Sequence, residues 1–260
     1  MPLPHQIVQW IQHWLRKESS HSIHSPALYR FYQVVIHKEI PSRTFSAIEA
    51  SRDLLLAEEK IVPFQNLGSG NPTTTGTVKT RKVAGKSLTP PKWCRLLARL
   101  SQEIQAKNIL ELGTSFGIST LYLSVNPESK VWTMEGNQSI AFRAQQIFES
   151  LQRSNIKLIV GNIDQKLPEV LESIPELDLV FLDANHRYAP TIRYAEAIVE
   201  RLNSGGFMIV DDIHRSKEMD HAWRKLKANS VFEASIDLFR WGILIKGPSN
   251  LSGHHVWNFA

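Results

Sequence analysis

The stretch Asn108-Ile-Leu-Glu-Leu-Gly113-Thr-Ser-Phe-Gly117 decides the fold. Its first five residues are a strand-sized, mostly apolar run, and they lead straight into two glycines. Glycine has no Cβ and tolerates positive φ, so Gly113 and Gly117 let the chain turn sharply and bring its backbone close to a ligand. A helix starting there presents unpaired backbone N–H groups. The spacing is Gly-x-x-x-Gly with acidic Glu111 ahead of it, not the Gly-x-Gly-x-x-Gly of dinucleotide-binding turns. The segment predicts a strand, a cofactor-binding turn and a helix start, with Glu111, Gly113, Thr114, Ser115 and Gly117 as candidate contacts.

Working outward, strands are predicted over 108–112, 130–135, 156–160, 177–183 and 206–211, each followed by a helical stretch. A helix carrying Trp93, Leu96, Leu97, Leu100 and Ile104 precedes the first. Such alternation implies a parallel, doubly wound sheet. The end departs from it: strands over 231–235 and 239–245 are separated only by Ile236-Asp-Leu238, too short for a crossover helix, so they must pair antiparallel. The expected fold class is α/β, a Rossmann-like, mostly parallel seven-stranded sheet closed by an antiparallel hairpin. Residues 1–90 are expected to form an N-terminal helical cap and lid loop, and 91–260 the α/β domain.

The strand ends carry the chemistry. The second ends Val131-Trp-Thr-Met-Glu135-Gly136-Asn137, setting a carboxylate about twenty residues beyond the glycine turn, where it can accept hydrogen bonds from ribose hydroxyls. The third ends Gly161-Asn162-Ile163-Asp164; Asn162 suits an adenine edge and Ile163 its face, although an ordinary Asn/Asp turn explains the segment nearly as well. The fourth and fifth end Asp183-Ala-Asn-His186 and Asp211-Asp212-Ile-His214. The carboxyl edge of a parallel sheet is its ligand crevice, so Asp183, Asp211 and Asp212 are expected to converge beside the cofactor. Three carboxylates repel one another unless a proton or cation intervenes, and Mg²⁺ would satisfy them. His186 is the first candidate base, because neutral imidazole, with a pKa near ~6.5, takes a hydroxyl proton at neutral pH. His214 is the second; a hydrogen-bonded structural role is the alternative for either.

The bulk composition narrows the class. With 260 residues and 42% hydrophobic content the chain can bury a core. Its one cysteine, Cys94, excludes a disulfide framework, and its start lacks a signal peptide's charged and apolar regions, so a cytoplasmic location is expected. No apolar run approaches the ~20 residues of a membrane span. The net charge of +5 is uneven: residues 1–107 hold 15 Lys+Arg against 7 Asp+Glu, and 108–260 hold 15 against 18. The basic charges form no dense block, so they read as solvated surface, and no nucleic-acid partner is expected.

In the N-terminal third, Ile7, Trp10, Ile11, Trp14 and Leu15 form one helical face that must pack on something or pair two chains as a homodimer. His21, His24 and Ser25 suit a roof over the crevice, or Ser25 caps a helix opened by Pro26. Trp10, Tyr29, Phe31 and Tyr32 are core aromatics or a substrate wall. A further helix is predicted from Phe45 to about Lys60. The Gly/Thr/Ser/Lys/Pro-rich stretch 66–90 predicts a loop or lid; its basic run 79–86 is solvated or anion-binding, and Gly68-Ser-Gly70 lacks the flanks of a phosphate loop.

Taken together, these motifs resemble class I S-adenosylmethionine-dependent methyltransferases, and among them the catechol or caffeoyl-CoA O-methyltransferase type. His24-Ser25-Pro26, Gly68-Ser-Gly70, Glu111-Leu-Gly113-Thr and Asp211-Asp212-Ile-His214 are similar to those of uncharacterised bacterial members of the class. The resemblance covers most of the chain. It implies S-adenosylmethionine as cofactor, a small or medium-sized acceptor methylated on oxygen, and a divalent metal on Asp183, Asp211 and Asp212. It further implies a general base near Asp183, which without a metal serves equally as a substrate or cofactor contact. In the catechol type that base is lysine and the last metal ligand is asparagine; here His186 and Asp212 stand at about those places. Metal-independent transfer to oxygen or nitrogen, or cofactor binding without turnover, are the alternatives.

Overall fold

The computed structural model describes residues 4–65 and 75–259. The helices are α1 (His5–Arg16), α2 (Pro26–Ile36), α3 (Ser46–Ala57), α4 (Thr80–Ser87), α5 (Pro91–Glu103), α6 (Ile118–Leu123), α7 (Gln138–Ser150), α8 (Ile163–Ser173), α9 (Tyr188–Val199) and α10 (Lys217–Lys227). The strands are β1 (Ile61–Gln65), β2 (Thr75–Lys79), β3 (Asn108–Leu112), β4 (Lys130–Glu135) and β5 (Ile156–Val160), then β6 (Leu177–Leu182), β7 (Leu202–Val210), β8 (Phe232–Asp237), β9 (Gly242–Lys246) and β10 (Gly253–Val256). They group into two compact units, residues 39–173 and residues 1–38 with 174–260, so the first ninety residues divide between both.

In the unit 39–173, β3, β4 and β5 lie side by side and parallel, Leu110 opposite Trp132 and Thr133 opposite Leu158. Asn137 starts α7 by accepting from the backbone N–H of Ser139 and Ile140 at 3.2 and 3.3 Å, as a helix N-cap does. The apolar faces of α3, α5, α6 and α7 meet in one core that includes Ile48, Leu55, Ala98, Leu121, Ala144 and Phe148. A polar knot crosses it. Buried Arg52 donates to the Glu49 carboxylate at 3.0 Å, to the Thr89 carbonyl at 2.8 Å and to the Cys94 sulfur at 3.5 Å, while Tyr122 donates to Glu49 at 2.7 Å. Burial pushes the Cys94 thiol up to about 12, so it stays protonated. The loop expected over 66–90 is structured where it is described: β2 pairs antiparallel with β1, and α4 follows. Polar residues hide this hairpin from periodicity, and ion pairs from Glu59 to Lys79 and Arg81 help hold it. Gly68-Ser-Gly70 lies outside the described residues.

In the other unit, β7 pairs parallel with β6 and antiparallel with β9, β9 pairs antiparallel with β8, and β10 runs parallel to β8. All seven expected strands form, and β10 is an eighth that the reading missed. The hairpin turn is shifted: β9 starts at Gly242, because the Asp237 carboxylate accepts from the Phe239 N–H at 2.8 Å and the Leu238 N–H reaches the Trp241 carbonyl at 2.8 Å. That shift takes Arg240 and Trp241 out of the expected strand and into the turn. On α10, Met219, Ala222, Trp223 and Leu226 follow helical spacing and are all buried, behind a Ser216 cap.

Ser25 does cap α2, accepting from the Leu28 N–H at 3.3 Å, and Phe31 and Tyr32 pack edge-on to Phe207 and Trp257. The apolar face of α1 packs on nothing among the described residues of its own chain, the expected pairing with a second chain being the other alternative. Ile7, Trp10, Ile11, Trp14 and Leu15 are exposed, Trp10 by 54%, and the buried residue of the helix is His13. The docked side is the polar one because His13 Nε2 lies 3.2 Å from the Asp237 carbonyl and 3.5 Å from its carboxylate, with its ring edge-on to Phe239. Trp10 is therefore no core aromatic, and Tyr29 is exposed as well.

Candidate functional site

The glycine turn of the unit 39–173 is built as the sequence predicts. Gly113 and Gly117 have φ of 102° and 80°, and Ser115 between them has φ 48°. The N–H groups of Gly113 and Thr114 both reach the Met134 carbonyl at 3.0 Å, fastening the turn to the end of β4. The Glu135 carboxylate accepts from Ser115 N–H and from Asn137 N–H, each at 2.8 Å, so the strand end closes on the turn across twenty residues of sequence. Burial pushes the Glu135 carboxyl up, and the backbone N–H groups of Asn137, Ser115 and Gly136 oppose that. Each Glu135 oxygen keeps lone pairs for ribose hydroxyls.

Several candidates hold the turn from beneath. Glu111 is fully buried and accepts from the hydroxyls of Thr120 and Thr133. Burial pushes its carboxyl up to about 7. Buried Thr114 shares a hydrogen bond of 2.6 Å with Thr133. Gly117 serves packing as much as any ligand, since a Cβ there would lie 2.3 Å from the Phe148 ring. Ser115 shares a 2.7 Å hydrogen bond with Ser87, a residue that sequence reasoning did not single out. Exposed Asn162 accepts from the Asp164 N–H at 2.8 Å as α8 begins, which is the ordinary Asx turn, with Ile163 the first residue of that helix.

The acidic group belongs to the other unit. Asp183, His186 and Asp211 each offer one donor atom, all within 4.8 Å of one another, and His186 Nε2 is 3.4 Å from the Asp183 carboxylate. Asp212, with φ 56°, pairs with Arg215 at 3.0 Å and lies 4.0 Å from Arg240 Nε. The three donor atoms that come within 4.8 Å of one another are thus two carboxylates and an imidazole, with Asp212 beside them. Arg240, missed in the sequence because it was placed in a strand, forks onto Asp211 at 2.9 and 3.2 Å, and Trp241 Nε1 donates to the same carboxylate at 2.6 Å.

Burial, reinforced by Asp211, with which it shares a hydrogen bond, holds the Asp183 carboxyl well above the usual range. Burial pushes Asp211 up as well, but its Arg240 partner outweighs that and holds it low. Burial keeps His186 below the ordinary imidazole value, against the pull of Asp211 and Asp212. This donor set does not suit a divalent cation. Asp211 already faces a guanidinium in contact, so a cation bound there would meet a like charge.

His214 is not part of this group. Its two ring nitrogens lie 3.1 Å from Asp220 and 2.8 Å from Asp237, and Trp223 Nε1 donates to Asp237 at 3.3 Å. Both ring nitrogens face buried carboxylates, so neither is turned to a substrate.

A methyltransferase-domain family model matches residues 110–213. The catechol O-methyltransferase of Mycobacterium tuberculosis is 28% identical over 128 residues, 46% of this chain and 54% of that protein. That of Niastella koreensis is 29% identical over 129 residues, 48% and 58% respectively. The chain spans little more than half the length of these curated relatives. In three dimensions it is similar to an S-adenosylhomocysteine-bound methyltransferase of Podospora anserina, with a TM-score of 0.60 at 14% identity, covering 96% of this chain and 98% of that one. The fold is Rossmann-like α/β, as in that methyltransferase. No helix among the described residues is long and apolar enough to cross a membrane.

Proposed function

We propose that the chain is an S-adenosylmethionine-dependent O-methyltransferase acting on a small or medium-sized hydroxyl-bearing acceptor. The observation that carries the reading is the closure of the Glu135 carboxylate onto the Ser115 amide of the glycine turn. It sets a ribose-binding acceptor beside a backbone that a cofactor can approach. The similarity to two catechol O-methyltransferases supports oxygen as the methylated atom. When bound, S-adenosylmethionine supplies a methyl group made electrophilic by its sulfonium.

The chain's own residues bind, orient and move a proton. In this reading Glu135 accepts from the ribose, and Asn162 and Ile163 meet the adenine. His186, kept neutral by burial, accepts the acceptor's hydroxyl proton. The imidazolium so formed is stabilised by the charges of Asp211 and Asp212. No step requires a metal, so transfer is metal-independent in this reading.

Titration calorimetry with S-adenosylmethionine tests it. Wild type should bind, and Glu135→Gln should bind about 10- to 100-fold more weakly, the worth of one or two hydrogen bonds to a charged group. Methyl transfer is then assayed on a panel of phenols and catechols. Absence of cofactor binding to the folded protein would remove the proposal.

A further inference from the structure

Two carboxylates and an imidazole whose donor atoms lie within 4.8 Å of one another form a centre that needs positive charge, and the turn between β8 and β9 delivers it. Arg240 reaches Asp211 through Nε and Nη2 in a two-pronged ion pair, and Trp241 adds a third N–H to the same carboxylate. The arrangement is pinned. The Ile213 N–H donates to the Arg240 carbonyl at 3.1 Å, fixing the backbone next to Asp211 and Asp212, and the Trp241 ring lies 5.0 Å from Phe181. The Arg240 side chain is 30% exposed, and its Nη1 donates to no group among the described residues.

We propose that Arg240 is the resident cation of the Asp183–His186–Asp211 centre: it neutralises Asp211, keeps divalent metal out, and presents Nη1 to the oxygen of the acceptor. A guanidinium suits the task because its fork matches a carboxylate with two donors while leaving further N–H groups for a second oxygen. A divalent ion on Asp211 would meet this charge at contact distance, where like charges repel most strongly. The last part of the proposal, the acceptor contact, rests on the methyltransferase reading.

Manganese binding, followed by electron paramagnetic resonance on chelator-treated protein, tests the first part without any turnover. Wild type and Arg240→Lys should bind no Mn²⁺ at the centre. Arg240→Met should bind one ion, at least about tenfold more tightly than wild type, and Arg240→Met with Asp211→Asn should lose it. Wild-type binding that Asp211→Asn abolishes would overturn the proposal even if Arg240→Met did not fold, and so would a folded Arg240→Met that takes up no ion. For the acceptor contact, Arg240→Lys should raise KM for the acceptor about tenfold or more and leave cofactor affinity unchanged. An unchanged KM in an active enzyme overturns that part, whereas failure of the wild type to bind cofactor counts against the methyltransferase reading instead.

Discussion

Glu111→Gln gives the sharpest test of how the glycine turn is held. The carboxyl has no exposure to solvent, Oε2 takes the hydroxyls of Thr120 and Thr133, and Oε1 makes no hydrogen bond among the described residues. Burial lifts its pKa from an ordinary 4.5 to about 7. The unfolded chain therefore loses this proton before the folded one does. Stability is highest below the unfolded value, falls as pH climbs through the interval up to about 7, and is level above it. At about 1.4 kcal/mol per tenfold step in proton affinity, the ionised carboxylate costs the fold about 3 kcal/mol at pH 8 and about 2.5 kcal/mol more than at pH 5. Glutamine keeps the shape and one acceptor oxygen but never ionises. Its NH₂ lies where Oε1 lay without a partner, a cost of about 1–3 kcal/mol that does not depend on pH. The absolute stability of the variant thus depends on two opposed effects, but its pH dependence depends on one. Denaturant unfolding of both proteins at pH 5 and pH 8 should show the difference moving toward the variant by about 2.5 kcal/mol. Parallel stability profiles for the two proteins would refute the account of a buried, ionisable support.

Gly117→Ala should destabilise by about 2–4 kcal/mol, since the methyl group meets the Phe148 ring and φ is 80°; thermal denaturation reads the loss, and Gly117→Ala with Phe148→Leu should recover part of it. His186→Ala should lower kcat by about 10²- to 10⁴-fold while cofactor affinity holds. In wild type, activity should rise with pH as His186 loses its proton, and because burial lowers its pKa the midpoint of that rise should fall below the ordinary ~6.5. A pH–rate profile with its midpoint above that value would contradict the assignment.

The α/β core was legible because its strands obey a simple rule. Runs such as Asn108–Leu112, Lys130–Glu135 and Ile156–Val160 have the bounds that apolar content and glycine punctuation predict. The turn at Gly113 and the carboxylate of Glu135 were legible for the same reason, both being fixed by position along a strand. What escaped was set by long-range pairing. The side of α1 that docks is chosen by His13 meeting Asp237, 224 residues away, and no periodicity within the helix contains that partner. Arg240 was hidden because a hydrogen bond from the Asp237 side chain relocates the turn, and a strand boundary is the least constrained part of a pattern. The pairing of Asp212 with Arg215 escaped too. It follows from a left-handed backbone at Asp212, which a non-glycine residue seldom adopts.

The wide sequence separation within one unit bears on how the chain is made. His13 meets Asp237, and Glu18 meets His255 and Trp257, so the first segment completes its contacts only with the last. A ribosome adding about 5–20 residues per second takes roughly 10–45 s to emit the intervening chain. Residues 39–173, by contrast, form one uninterrupted stretch of chain. Helix α1 therefore waits for the segment around Asp237 before it can seat His13.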